Sequence, residues 1–168
     1  MGLFLCQNGI VSGPLFSGRI SLLQPNMGGI FVIAVLCVDD RGGMAFHGRR
    51  QSQDRVLRRE LMARVGSGHI WMNAYSAGQF EPEYAGQIRV AEDCLQRAGR
   101  GEFCFVETQP LAGCENRLEQ IILFRWNRLY PADTWLDLPL SRHGWHVAER
   151  RDFPGFSHKK ITQEVYVT

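Results

Sequence analysis

Ile30-Phe-Val-Ile-Ala-Val-Leu-Cys-Val38 is an unbroken apolar run rich in β-branched side chains. A strand with one wet face alternates apolar and polar residues. A run without alternation suits a strand covered on both faces, at the centre of a mostly parallel sheet. Asp39-Asp-Arg-Gly-Gly43 follows with turn chemistry, its paired glycines permitting positive φ or close backbone approach. A loop is expected up to Ser52. Gln53–Val65 then reads as an amphipathic helix: Val56, Leu57, Leu61 and Val65 recur at three- and four-residue spacings, Arg55, Arg58, Arg59 and Glu60 face water, and Ser52 or Asp54 caps the start.

Beyond the helix the pattern is a β/α rhythm. Gly66-Ser-Gly68 stops it, His69–Asn73 reads as a short strand, and Ala74–Gly78 as one helical turn. Gln87–Val90 is a weak strand, Ala91–Ala98 a short helix closed by Gly99-Arg-Gly101, and Phe103–Val106 a buried strand, with a helix expected to begin at Pro110. Strands then dominate: Ile121–Trp126, Trp145–Arg150 and Ile161–Val167, the last two pairing antiparallel around Asp152–Phe156. The expectation is one α/β domain, a central mostly parallel sheet with flanking helices and a C-terminal antiparallel hairpin.

The chain's 168 residues suffice for one core without disulfides or metal. With 19 basic and 17 acidic side chains the net charge is +2, too balanced for a global nucleic-acid or membrane binder, so any basic face must be local. Five cysteines without a Cys-x-x-Cys pair favour a reducing cytoplasm. No stretch approaches a membrane span and the start lacks the features of a signal peptide, so no membrane association is expected. Met27-Gly-Gly directly precedes the first strand. Residues 1–26 therefore read as an N-terminal extension and 27–168 as the domain, with a packed N-terminal hairpin as the competing reading.

Val38-Asp39-Asp40-Arg41-Gly42-Gly43-Met44 resembles the first strand and returning loop of the dihydrofolate reductase family. The later Met72-Asn73-Ala74 and Asp133-Thr134-Trp135-Leu136-Asp137 extend the likeness over roughly residues 30–168. The resemblance implies that fold, with a cleft at the C-terminal end of the first strand and a carboxylate near the start of the first helix. Asp54 holds that place if the helix starts are aligned, Leu57 if one counts back without gaps from Met72. It also implies an NADPH site, from which this sequence departs. Glu107-Thr108-Gln109 stands where the family has a Gly-Gly pair, Asn73-Ala74 stands in place of a Gly-Arg phosphate contact, and the stretch carrying a Ser-rich adenosine-side loop is missing. No cofactor is therefore expected. Arg49–Asp54, Trp71–Ser76 and Trp126-Asn-Arg128 also resemble small bacterial proteins labelled ribonuclease Z, an activity whose His-x-His-x-Asp-His metal motif this sequence lacks.

The richest chemistry lies in His47-Gly-Arg-Arg-Gln-Ser-Gln-Asp-Arg55, at the mouth of a helix whose free N–H groups favour an anion. Arg49, Arg50, Gln51, Ser52 and Gln53 are the candidate ligand contacts, with His47 and Asp54 as candidate catalytic groups; the competing reading is a capped helix with a solvated first turn. Trp71, Asn73, Tyr75 and Ser76 suit a flat ring but equally suit packing. Glu107 is a base or a helix cap, and Trp126-Asn127-Arg128 is a polar edge or packing. His69, His143, His146 and His158 are scattered, which gives no metal pattern, and no nucleophile elbow marks a Ser-His-Asp triad, so covalent hydrolysis is not expected.

Three functions compete. The first is a dihydrofolate-reductase-like domain holding a small anionic or heteroaromatic ligand around residues 47–55, by binding alone or with catalysis. The second is an RNA-binding or RNA-processing protein in which Arg41, Arg49, Arg50, Arg55, Arg58 and Arg59 follow phosphates while Trp71 and Tyr75 stack bases. The third is a divergent NADPH-dependent reductase. Nothing in the sequence separates a monomer from a homodimer.

Overall fold

The computed structural model describes residues 31–142 and 144–168. The N-terminal extension, the start at Met27, Ile30 and His143 lie outside the described residues. β1 (Val32–Val38) pairs in parallel with β6 (Phe103–Phe105) on one side and β7 (Leu118–Arg125) on the other. It is thus central, as its unbroken apolar run predicts. The full sheet has seven strands in the order β5-β4-β6-β1-β7-β10-β9, with β4 at Ile70–Met72, β5 at Ile88–Val90, β9 at His146–Phe153 and β10 at Ile161–Val167. β10 runs antiparallel to both β7 and β9 and so makes the C-terminal hairpin.

Two cores follow from the two faces of β1. Val32, Ala34, Leu36 and Val38 pack with Leu95, Leu111, Leu138 and Trp145 on one side. Val35 packs on the other with α1 (Arg55–Val65), through Leu57, Leu61, Met62 and Val65, and with Phe105, Ile122, Phe124 and Ile161. Each of these apolar side chains contributes about 1.5–3 kcal/mol on burial. Asp54 caps α1, its carboxylate accepting from the Val56 N–H, and Leu57 is buried in the core.

The expected loop between Met44 and Ser52 instead folds into a hairpin, β2 (Gly43–Phe46) and β3 (Arg49–Arg50), joined to β8 (Thr134–Trp135) as a small separate sheet. His47 and Gly48, at φ 50° and 69°, form its two-residue turn. Positive φ at both central positions matches the right-handed twist of the flanking strands. The expected helix Ala91–Ala98 shrinks to one turn, α3 (Cys94–Arg97). No helix begins at Pro110: the chain turns through Gly113 at φ 87°, with the Leu111 and Ala112 N–H groups held by the Asp137 carboxylate. β9 continues through Phe153, which moves the hairpin turn to residues 154–160. The helical turn α2 (Ala74–Ala77) follows β4 as expected. Among the described residues no helix is long and apolar enough to cross a membrane.

Candidate functional site

The end of β1 is organised by Asp39, which is fully buried. Its carboxylate accepts from the backbone N–H groups of Arg41 (2.8 Å), Gly43 (2.8 Å) and Tyr130 (3.2 Å), and from Gln51 Nε2 (3.4 Å). Burial pushes its pKa up, but these N–H donors outweigh burial and hold it below the usual value. One side chain therefore fixes the turn after β1, the segment leading into α1 and the segment after β7. Gly43 is required there: a Cβ would stand 2.7 Å from both Ala132 Cβ and Gln51 Nε2. Gln51 also donates to the Pro131 carbonyl (3.3 Å), and its Oε1 is buried with no partner among the described residues.

Two side-chain clusters grow from the segment Arg50–Asp54. In the first, Arg50 forks onto Glu107, Nε to Oε1 at 2.9 Å and Nη2 to Oε2 at 3.1 Å, and Ser76 Oγ donates to Oε2 at 2.7 Å. The Arg50 guanidinium lies 4.1 Å over the Tyr75 ring and donates to the Tyr75 carbonyl, while the Arg50 N–H donates to the Tyr75 hydroxyl. Asn73 caps α2 by accepting from the Ser76 N–H, which sets Ser76 against Glu107. Arg50, Asn73, Tyr75, Ser76 and Glu107 thus form one group, bridging β3, α2 and the end of β6. Behind it the Cys37 thiol is pushed well up by burial and by the Glu107 charge, against the opposing pull of Arg50.

The second cluster surrounds Asp54. Oδ1 accepts from the N–H groups of Val56 (2.8 Å) and Phe156 (2.9 Å). Oδ2 accepts from the Ser157 N–H (2.8 Å) and Ser157 Oγ (3.1 Å), and lies 3.1 Å from His158 Nδ1. Burial raises the pKa of this carboxyl, but the Phe156 and Ser157 N–H groups, the His158 ring and the Val56 N–H together hold it far below the ordinary range. An ionised Asp54 can only accept, so Nδ1 of His158 carries a proton and its Nε2 is turned towards Ser52 and Tyr130. Nε2 lies 3.2 Å from Ser52 Oγ and 3.0 Å from the Tyr130 hydroxyl. The ring is stacked on Trp126, with centroids 4.6 Å apart.

On the far end of this network a recess of about 430 Å³ opens, walled by Trp126, Arg128, Ser157, His158, Lys159 and Lys160. Its cations are Arg128, Lys159 and Lys160, and of these Lys160 has a long surface contact of 3.5 Å to Asp152.

Of the remaining sequence candidates, His47, Arg49 and Trp71 lie apart from both clusters, and Gln53 meets the second only through its backbone. His47 is exposed in the β2–β3 turn, stacked on Phe46, with its N–H bound by Asp133. Arg49 is exposed on β3, and Gln53 is exposed with its carbonyl accepting from Ser157 Oγ. Trp71 donates through Nε1 to Glu102 and packs against the Val32–Leu36 face of the core. His158, Ser157, Tyr130, Lys159 and Lys160 were not candidates from the sequence. His158 is 104 residues from Asp54, and only the turn-forming Pro154-Gly155 and the adjacent lysines mark that loop. Among the described residues no group of three or more His, Cys, Asp or Glu is placed to hold a metal ion.

The order of strands and the placing of Asp54 at the head of α1 invite comparison with solved structures. Dihydrofolate reductase from Enterococcus faecalis, solved with NADP(H) and RAB-propyl, superposes with a TM-score of 0.57 at 9% identity over 82% of this chain and 95% of that one. The chain has the dihydrofolate reductase fold. No family model and no curated protein matches the sequence. At 9% identity the likeness speaks for architecture alone.

Proposed function

We propose that this dihydrofolate-reductase-like domain binds a small anionic ligand in the recess beside His158. The recess is walled by residues 126–128 and 157–160 and meets the segment 47–55 through the hydrogen bonds of Ser157 and His158 to Ser52 and Asp54. The observation that carries this reading is the coincidence of the Trp126-stacked His158 ring with Arg128, Lys159 and Lys160 around one recess. The indole and imidazole, buried and stacked on each other, make a fixed floor, and three cations attract the charge.

Two features weigh against reduction of folate with NADPH. The first is Asp54: both its oxygens are occupied by donors from within the chain, which leaves little capacity to orient a pterin ring. The second is Glu107: where a dinucleotide would need close backbone approach at the end of β6, a carboxylate stands, clamped by Arg50 and Ser76. The residues do not fit the dinucleotide. RNA is disfavoured by the commitment of three of the six arginines it would use: Arg50 to Glu107, Arg58 to Glu81, and Arg55 over the Phe156 ring.

Thermal melting with pyrophosphate, adenosine monophosphate, NADPH and a single-stranded RNA tests the reading. A ligand at a hundred times its Kd contributes about 2.7 kcal/mol, which raises Tm by roughly 5–10 °C for a domain of this size. The expected result is a shift with the small anions that is lost in a Lys159→Ala/Lys160→Ala variant. Stabilisation by NADPH alone, or by RNA alone with affinity falling steeply in salt, would overturn it.

A further inference from the structure

Ser52, His158 and Asp54 come from two distant stretches of the chain and meet in a line. Ser52 Oγ lies 3.2 Å from His158 Nε2, and His158 Nδ1 lies 3.1 Å from Asp54 Oδ2. We propose that these three side chains form a nucleophilic relay that hydrolyses an ester of an anionic acid, with Ser52 as nucleophile, His158 as acid and base, and Asp54 as the positioning residue. The proposal rests on the anion-binding reading of the neighbouring recess for its substrate class.

The geometry supplies the nucleophile, the base and the group that orients the base. The Asp54 carboxylate is fixed by three backbone N–H groups, so it cannot turn away from the ring. Its charge sets the imidazole tautomer, leaving the Nε2 lone pair on the Ser52 side. Trp126 fixes the ring plane from one face. His158 is shared between relay and recess, so an anionic group held by Arg128, Lys159 or Lys160 lies beside the base. Ser52 is half-buried rather than sealed.

The steps balance without a cofactor. Ser52 Oγ attacks the ester carbonyl carbon while its proton passes to His158 Nε2. The bond from carbonyl carbon to the alcohol oxygen breaks, and that oxygen takes the proton from Nε2. Water then attacks the acyl-serine, giving its proton to Nε2; the acid leaves and Ser52 recovers its hydrogen. Tyr130 competes for the same lone pair, its hydroxyl being 3.0 Å from Nε2. Tyr130→Phe therefore leaves Nε2 to Ser52 alone.

The full-length protein is treated with a fluorophosphonate, and the modified residue is located by peptide mass spectrometry. Hydrolysis of 4-nitrophenyl acetate and of the mono-4-nitrophenyl ester of glutaric acid is followed in parallel. The expected results are labelling at Ser52, preference for the anionic ester, and loss of at least about 100-fold in kcat in Ser52→Ala and His158→Gln. Tyr130→Phe keeps or raises labelling. Asp54→Asn lowers kcat and moves the acid limb of the pH profile to lower pH, a shift that loss of a helix cap alone does not produce.

A second measurement needs no substrate. In Ser52→Cys, iodoacetamide should alkylate position 52 near neutral pH roughly tenfold faster than in Ser52→Cys/His158→Gln, because the thiolate is the reacting form. Equal alkylation rates, absence of label at Ser52, or hydrolysis that survives Ser52→Ala would each overturn the relay. Pyrophosphate stabilisation read alongside separates the two ideas: a shift without labelling sinks the relay and keeps the binding site, whereas labelling without a shift or an anionic preference sinks the substrate class.

Discussion

The Asp54 carboxylate receives hydrogen bonds from Val56, Phe156 and Ser157, so removing its charge does more than uncap a helix. Its pKa is depressed in the folded chain relative to the ordinary 3.8, and that of Asp39 is depressed too. Stability from both is present in full above the unfolded-state value and is lost as pH falls through it toward the folded-state values. Urea midpoints measured from pH 6 downward should therefore fall on the acid side of about pH 4, and Asp54→Asn should flatten that fall. Glu107 poses a different case, because its partner Arg50 keeps 19% of its side chain exposed. Glu107→Ala leaves a largely buried guanidinium unpaired. The expected cost is about 3 kcal/mol, the low end for a broken buried pair because water still reaches Arg50. Chemical denaturation of the variant checks it.

At the scale of elements, β1 and α1 were readable because their signals are long: an unbroken apolar run and a periodic apolar stripe, each confirmed by its buried face. β3 spans only Arg49–Arg50, too short for any period, so the hairpin was read as loop. Its one local signal was His47-Gly48, where glycine permits the positive φ that such a turn demands. Gly48→Ala meets no steric neighbour, so its cost is conformational alone, about 1–2 kcal/mol. A change in urea midpoint of that size, with the far-ultraviolet spectrum retained, is the expected outcome. The helix expected at Pro110 gives way to a turn through Gly113 at φ 87°, braced from a distance. Asp137, 26 residues on, takes the Leu111 N–H, and no local pattern announces a contact of that span.

For the molecule as a whole, element order was enough to foresee the fold, since parallel strands joined through crossovers leave few arrangements. The two side-chain clusters are only partly legible in the sequence. Arg50, Ser52, Asp54, Ser76 and Glu107 sit on or beside elements that the sequence marks. His158, Tyr130 and Lys159 sit in connections whose position depends on how the C-terminal hairpin docks. The sequence segment 47–55 is therefore one partner of the Asp54 cluster, and residues 154–160 are the other.

That second partner has a consequence in time. β10 lies between β7 and β9, so the loop carrying His158 is held in place only after β10 has inserted beside β7. Contacts spanning a hundred residues close late, because loop entropy must be met before they reward the chain. Until residues 161–167 are available, Asp54 has no partner beyond its own helix and Ser52 has no imidazole. During synthesis the domain's central sheet and α1 can settle while the site is still chemically silent. The recess takes shape only once β10 has inserted beside β7, and a ligand that fills it would act as a latch on that strand.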